Sequence, residues 1–180
     1  MSTSLYDVTV PQFIRGLKNL SGVLTKVESW CDENSKPHSE IIEGRLAPDM
    51  NPLSFQVRVA VMMATNGVLS SSWKWTPSTK ELEDETSFAG LRAAIQKAVD
   101  ELEAVKREDL EGRESLPVRW WTGGEEGVGF KFSFDSGTKY LNQFVIPNFW
   151  FHPTTAYAIC RMKGVELGKK DFLCAGGAFD

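Results

Sequence analysis

Histidine is nearly missing from this chain: His38 and His152 are the only two in 180 residues, beside three cysteines and a formal net charge of −4. Two histidines cannot build a three-histidine metal site within one chain. Cys31, Cys160 and Cys174 are odd in number and far apart, with no CxxC pair, which points to reduced thiols in a cytoplasmic setting rather than disulfides. The acidic balance argues against a phosphate-neutralising surface, and so against general nucleic-acid binding. No apolar run approaches the ~20 residues that span a bilayer. The segment MSTSLYDVTV has neither the basic nor the apolar region of a signal peptide. What is present, 42% hydrophobic and 24% charged residues, is the composition of a folded globular protein. A chain of this length is expected to form one domain over residues 1–180, burying roughly 70% of its unfolded surface.

Four stretches have helical periodicity. Phe13, Leu17, Leu20, Leu24 and Val27 make one apolar face, widened by Val23 and Trp30, with Thr9 as N-cap and Pro11 in the first turn. CDENSKPH reads as a polar loop, and Ser39–Arg45 as a short helix leading to the turn LAPDMNP. A second long helix is expected from about Pro52 to Ser70, burying Leu53, Val57, Ala60, Val61, Ala64 and Val68. SSSWKWTPSTK is a loop by composition, although Trp73 and Trp75 are large enough to cover a core edge. The third helix, capped by Thr86 or Ser87, repeats Phe88, Leu91, Ile95, Val99, Leu102 and Val105, with Arg92, Lys97, Asp100 and Lys106 as solvated charges. Between residues 116 and 134 the period drops to two. LPVRWW and VGFKFSF then read as strands around the turn TGGEEG, which is not a phosphate loop because no GxxxxGK[ST] opens a helix. The fourth helix, capped by Asp135 or Ser136, runs through Tyr140, Phe144, Asn148, His152, Thr155 and Ile159 to a stop at Gly164. LGKKDFLCAGGAFD is a tail anchored by Leu167, Phe172 and Leu173. The pattern is an all-α four-helix bundle with a short β-hairpin inserted before the last helix.

Chemistry is sought where polar residues interrupt apolar faces. Asn148 and His152 are four apart, on one face of the last helix, within an aromatic stripe. Burying such a pair unpartnered costs ~1–3 kcal/mol, so they must bond each other, the core or a ligand. A histidine satisfied within the core competes with the functional reading at His152. Pro147 and Pro153 bracket the pair and remove the helical donors for the carbonyls of Gln143 and Phe149, which favours a kink. Asp49 lies between two prolines before the second helix, where it either caps that helix or points a carboxylate into the bundle; Arg45 is a candidate ion partner. His38 belongs to the polar loop. Cys160 is eight residues beyond His152, ~12 Å along a helix, too far for a Cys–His pair.

SLYDVTVPQFIRGLKNL, RLAPDMNPL and PNFWFHPTTAYAICRMKGVELGKKDFL, in that order, resemble an uncharacterised bacterial and fungal family, a domain of unknown function. That family is grouped with the DinB/YfiT-like putative metalloenzymes, and the resemblance implies a DinB-like four-helix bundle. Metal-binding DinB-like proteins place one histidine on the second helix and an HxxxH pair on the fourth. Counted back from CRMKGV, the pair falls on Asn148 and His152, and the second-helix position falls near Asp49. One of three histidines survives, and a neutral amide is a weak zinc ligand. The resemblance therefore leaves metal and cofactor unknown, and the same positions can serve an organic substrate.

The function expected is a cytoplasmic small-molecule enzyme with a pocket between the second and fourth helices. His152 acts there as acid, base or ligand, with Asp49 and Asn148 beside it; isomerase, lyase, hydrolase and transferase chemistry all remain open. Its partner is a small-molecule ligand or substrate, with no nucleic acid and no membrane. The alternative is a non-catalytic ligand-binding or stress-associated interaction module, a homodimer in one form. Fungal members of the resembled family are labelled helix-turn-helix proteins, and DNA binding ranks third because no basic recognition helix is present.

Overall fold

A computed structural model describes residues 4–69 and 82–178. The chain is mostly helical, with one two-stranded antiparallel hairpin. The elements run α1 Val10–Glu33, α2 His38–Ile42, α3 Leu53–Leu69, α4 Phe88–Glu103, β1 Val118–Trp121, β2 Lys131–Phe134, α5 Gly137–Tyr140, α6 Ile146–Met162 and α7 Lys169–Cys174. A π-helical turn, Leu141–Val145, joins α5 to α6. The expected loop with Trp73 and Trp75, and the expected helix end at Ser70, lie outside the described residues. No helix among the described residues is long and apolar enough to cross a membrane.

The apolar stripes all turn inward. Phe13, Leu17, Leu24, Val27, Leu53, Val57, Ala60, Ala64, Phe88, Leu91, Ile95 and Leu102 are buried in one hydrophobic cluster. α3 packs along α6 and α4, while α1 packs on α4, α6 and α7. Ser87 caps α4, its Oγ accepting the Gly90 N–H at 2.9 Å, and Ser136 caps α5 in the same way on Lys139 at 3.2 Å. Thr9 occupies the N-cap position of α1 without capping it: its hydroxyl donates back to the Leu5 carbonyl at 2.6 Å. The tail forms α7, which lies on α1 through Asn19, whose side chain donates to the Leu173 carbonyl and accepts the Gly176 N–H.

The hairpin is shorter than the alternation of its sequence. Its pairing runs from Val118↔Phe134 to Trp121↔Lys131, so Val128 and Phe130 fall beyond the paired strands and are exposed. Positive φ at Gly124 and Gly127 turns the chain back between them. Trp120 stacks on Phe132 at 4.2 Å, and both rings touch Phe144 in the π turn.

The two prolines do not end the last helix, which stays helical from Gly137 to Met162. Pro147 offers no N–H to the carbonyl four residues back. The preceding turn absorbs that loss by widening: the Ile146 N–H reaches the Leu141 carbonyl, five residues away. Pro153 is buried within α6, beside His152. The wide turn is held against α3 at Gly67, where an added Cβ would overlap the Val145 side chain. Gly67→Ala is therefore expected to destabilise the protein by about 1–3 kcal/mol, despite alanine's better helix propensity, as measured by urea unfolding.

Candidate functional site

His152 enters the space between α6 and α3 with 8% of its surface exposed. Its Nδ1 lies 2.7 Å from Oε1 of Gln56, and its Nε2 lies 3.1 Å from Oδ1 of Asn148. The Asn148 contact follows from helical geometry, since residues four apart share a face. The Gln56 contact crosses from α3, one residue before Val57 in that helix's buried stripe. Gln56 is itself buried, and its Nε2 donates to the Asn51 carbonyl at 3.0 Å. A chain of hydrogen bonds thus runs from the turn before α3, through Gln56 and His152, to half-buried Asn148.

Aromatic edges enclose the imidazole. Phe151 meets it at 5.2 Å between ring centroids and Phe55 at 6.3 Å, both edge-on. Phe55 in turn carries the Arg58 guanidinium 5.0 Å above its ring, and Arg58 pairs with Glu85 at 3.1 Å. Thr155, one turn on, is buried and returns its hydroxyl to the Phe151 carbonyl. Burial lowers the His152 pKa from 6.5 to about 4, because the protonated ring would lose its hydration. The imidazole is neutral at pH 7.

Of the three residues singled out in the sequence, Asn148 and His152 come together and Asp49 does not join their hydrogen bonds. Asp49 is exposed in the turn before α3. Among the described residues it forms no bond to a helix N–H or to His152; the Leu53 N–H goes instead to the Gly44 carbonyl at 3.0 Å. Arg45 donates to the Met50 carbonyl at 2.5 Å rather than pairing with Asp49. His38 is half-buried at the start of α2, 2.8 Å from Asp32 and edge-on to Phe88. The Cys160 thiol is buried and pushed up to about 12, which leaves it no thiolate for catalysis. Gln56 is the residue that reading the sequence missed. The signal that marks Asn148 and His152, a polar side chain on an apolar face, marks Gln56 equally, between Leu53, Val57 and Ala60.

The donor set does not fit a transition-metal ion. One imidazole nitrogen is engaged by Gln56, the other groups at the cluster are neutral amides, and no three His, Cys, Asp or Glu converge among the described residues. Among the described residues, two cavities lie away from His152. One of about 360 Å³ lies between α3 and α4 at Val61, Thr65 and Lys97, and one of about 10 Å³ lies between α1, α6 and α7 at Gly16, Trp150 and Phe172.

The family described as "Domain of unknown function (DUF1993)" matches residues 5–173. The crystal structure of a DinB family member protein from Shewanella denitrificans, solved at 1.83 Å, is similar at 32% sequence identity and a TM-score of 0.78. The match covers 97% of this chain and 93% of that one. No curated protein matches the chain.

The lowered pKa of His152 makes a pH-dependent contribution to stability. Above pH 6.5 the ring is neutral whether folded or unfolded. As pH falls from 6.5 toward about 4, the unfolded chain takes up a proton that the folded chain refuses, so stability is lost across that window. Against His152→Gln, which has no such proton to take up, the wild type is expected to lose up to ~3 kcal/mol of unfolding free energy in that range. Urea unfolding of both proteins at a series of pH values checks it.

Proposed function

We propose that this chain, which belongs to the DUF1993 family, is a small-molecule enzyme built on a DinB-like four-helix bundle of α1, α3, α4 and the α5–α6 helix, with its working site where α3 meets α6. The observation that carries the reading is His152 itself, a buried imidazole held at both nitrogens by side chains from two helices. The similarity to a DinB family member supports the bundle and the choice of face. The π turn that ends three residues before Asn148 supports it too, since such turns are frequent at functional sites.

His152 is the acid–base or ligand-contacting group in this reading. Asn148, half-buried over Nε2, is the side chain that a ligand displaces or shares, and Phe55 and Phe151 supply apolar walls. Asp49 takes part only if the turn that holds it folds inward when a ligand binds. The reaction belongs to the isomerase, lyase, hydrolase or transferase classes that need one proton-accepting group. A second reading, a non-catalytic ligand-binding or stress-associated interaction module, is favoured by both ring nitrogens of His152 facing side-chain amides of the protein itself.

Thermal-shift measurement of wild type and His152→Gln against a panel of small metabolites tests whether His152 belongs to a ligand site, and turnover of any compound that binds then separates the two. Glutamine keeps hydrogen-bonding capacity at the position, so folding is retained. A true ligand at about 100 times its Kd adds ~2.7 kcal/mol and raises Tm by roughly 5–10 °C. The enzyme reading expects such a shift in the wild type and its loss in the variant. Compounds that shift both proteins equally would contradict it.

A further inference from the structure

The hydrogen-bond chain through His152 has a direction, and Asn51 sets it. A backbone carbonyl can only accept, so the end of the Gln56 carboxamide that faces the Asn51 oxygen at 3.0 Å must be its NH2. The opposite end, Oε1, then faces His152 Nδ1 at 2.7 Å. That oxygen is also only an acceptor, so the proton lies on Nδ1, in the neutral ring and in the charged one alike. A neutral ring protonated on Nδ1 leaves Nε2 bare. Nε2 is the nitrogen on the side of half-buried Asn148, whereas Nδ1 points to Gln56, itself 2% exposed.

We infer that Gln56 is a positioning residue which fixes His152 as the Nδ1–H tautomer, so that its Nε2 meets the ligand as a base rather than as an acid. The inference rests on the functional reading of His152 given above. It also settles the role of Asn148. The structure sets Oδ1 of Asn148 3.1 Å from Nε2. With Nε2 bare those two acceptors make no hydrogen bond, so the Nδ1–H ring carries with it a half-turn of the Asn148 carboxamide that exchanges its oxygen and NH2 and gives Nε2 a donor. A ligand that brings an O–H or N–H donor takes the place of that NH2 and meets the same lone pair. Gln56 touches no ligand in this arrangement. Its effect passes through the imidazole, as hydrogen-bond partners of a working histidine ordinarily act by selecting which nitrogen carries the proton.

The scarcity of histidine makes the test direct. Protein labelled with 15N only in its histidine rings gives two ring systems, and His38→Gln identifies which belongs to His152. At pH 7 the wild type should show a protonated Nδ1 and an unprotonated Nε2 at His152. Gln56→Met, which keeps the shape but removes the acceptor, should shift His152 to a mixture or to the Nε2–H form. An Nε2–H tautomer in the wild type overturns the inference without any variant, and so does an Nδ1–H tautomer unchanged in Gln56→Met. These outcomes are distinguishable from failure of the functional reading. That failure would appear as ligand-induced Tm shifts that survive His152→Gln, whatever the tautomer.

Discussion

One hydrogen bond, from His152 on α6 to Gln56 on α3, organises this structure around its candidate site. Most of the contact between those helices is apolar and would tolerate small sliding, since hydrophobic contact is not directional. A buried imidazole facing a buried carboxamide does not tolerate it. If the register slips, both groups lose partners at a cost of ~1–3 kcal/mol each. The bond therefore fixes how α3 and α6 are aligned, and Asn51 extends that constraint to the turn in front of α3.

Other features of the fold serve the same alignment. The last helix must carry Asn148 and His152 on one face while accommodating Pro147 and Pro153, and the π turn at Leu141–Val145 reconciles the two demands. That turn is clamped between two neighbours. Gly67 lets α3 approach Val145 closely, and Trp120 and Phe132 of the hairpin pack on Phe144. The hairpin is remote from His152 in sequence, yet it supports the turn that sets where α6 begins. This gives a physical reason for a short β element in an otherwise helical chain.

Much of the fold was legible in the sequence because helical periodicity is a strong signal. The stripes from Phe13 to Val27 and from Phe88 to Leu102 are the buried faces observed, and of the two caps expected at each helix start the structure uses Ser87 rather than Thr86 and Ser136 rather than Asp135. Thr9 takes the expected N-cap position but not the capping bond, because a threonine at a helix start has two local bonds to choose from, and here its hydroxyl takes the Leu5 carbonyl. Val128 and Phe130 were placed in a strand by alternation alone, but alternation cannot show where pairing stops and the chain turns. At the site, Asn148 and His152 could be paired by spacing because they share one helix. Gln56 could not be joined to them that way, because its contact crosses between helices. The position of Asp49 depends on a turn whose bonds are made by Gly44 and the Arg45 side chain, which no periodicity encodes.

Gln56 and His152 act as one unit, and a double-mutant cycle at pH 7 measures how strongly, using Gln56→Met, His152→Leu and the double variant with unfolding free energies from urea titration. If the two side chains are bonded as described, their effects are non-additive and the coupling energy is about 1–3 kcal/mol. Effects that add within ~0.5 kcal/mol would instead show two independent buried residues with no bond between the helices at this point.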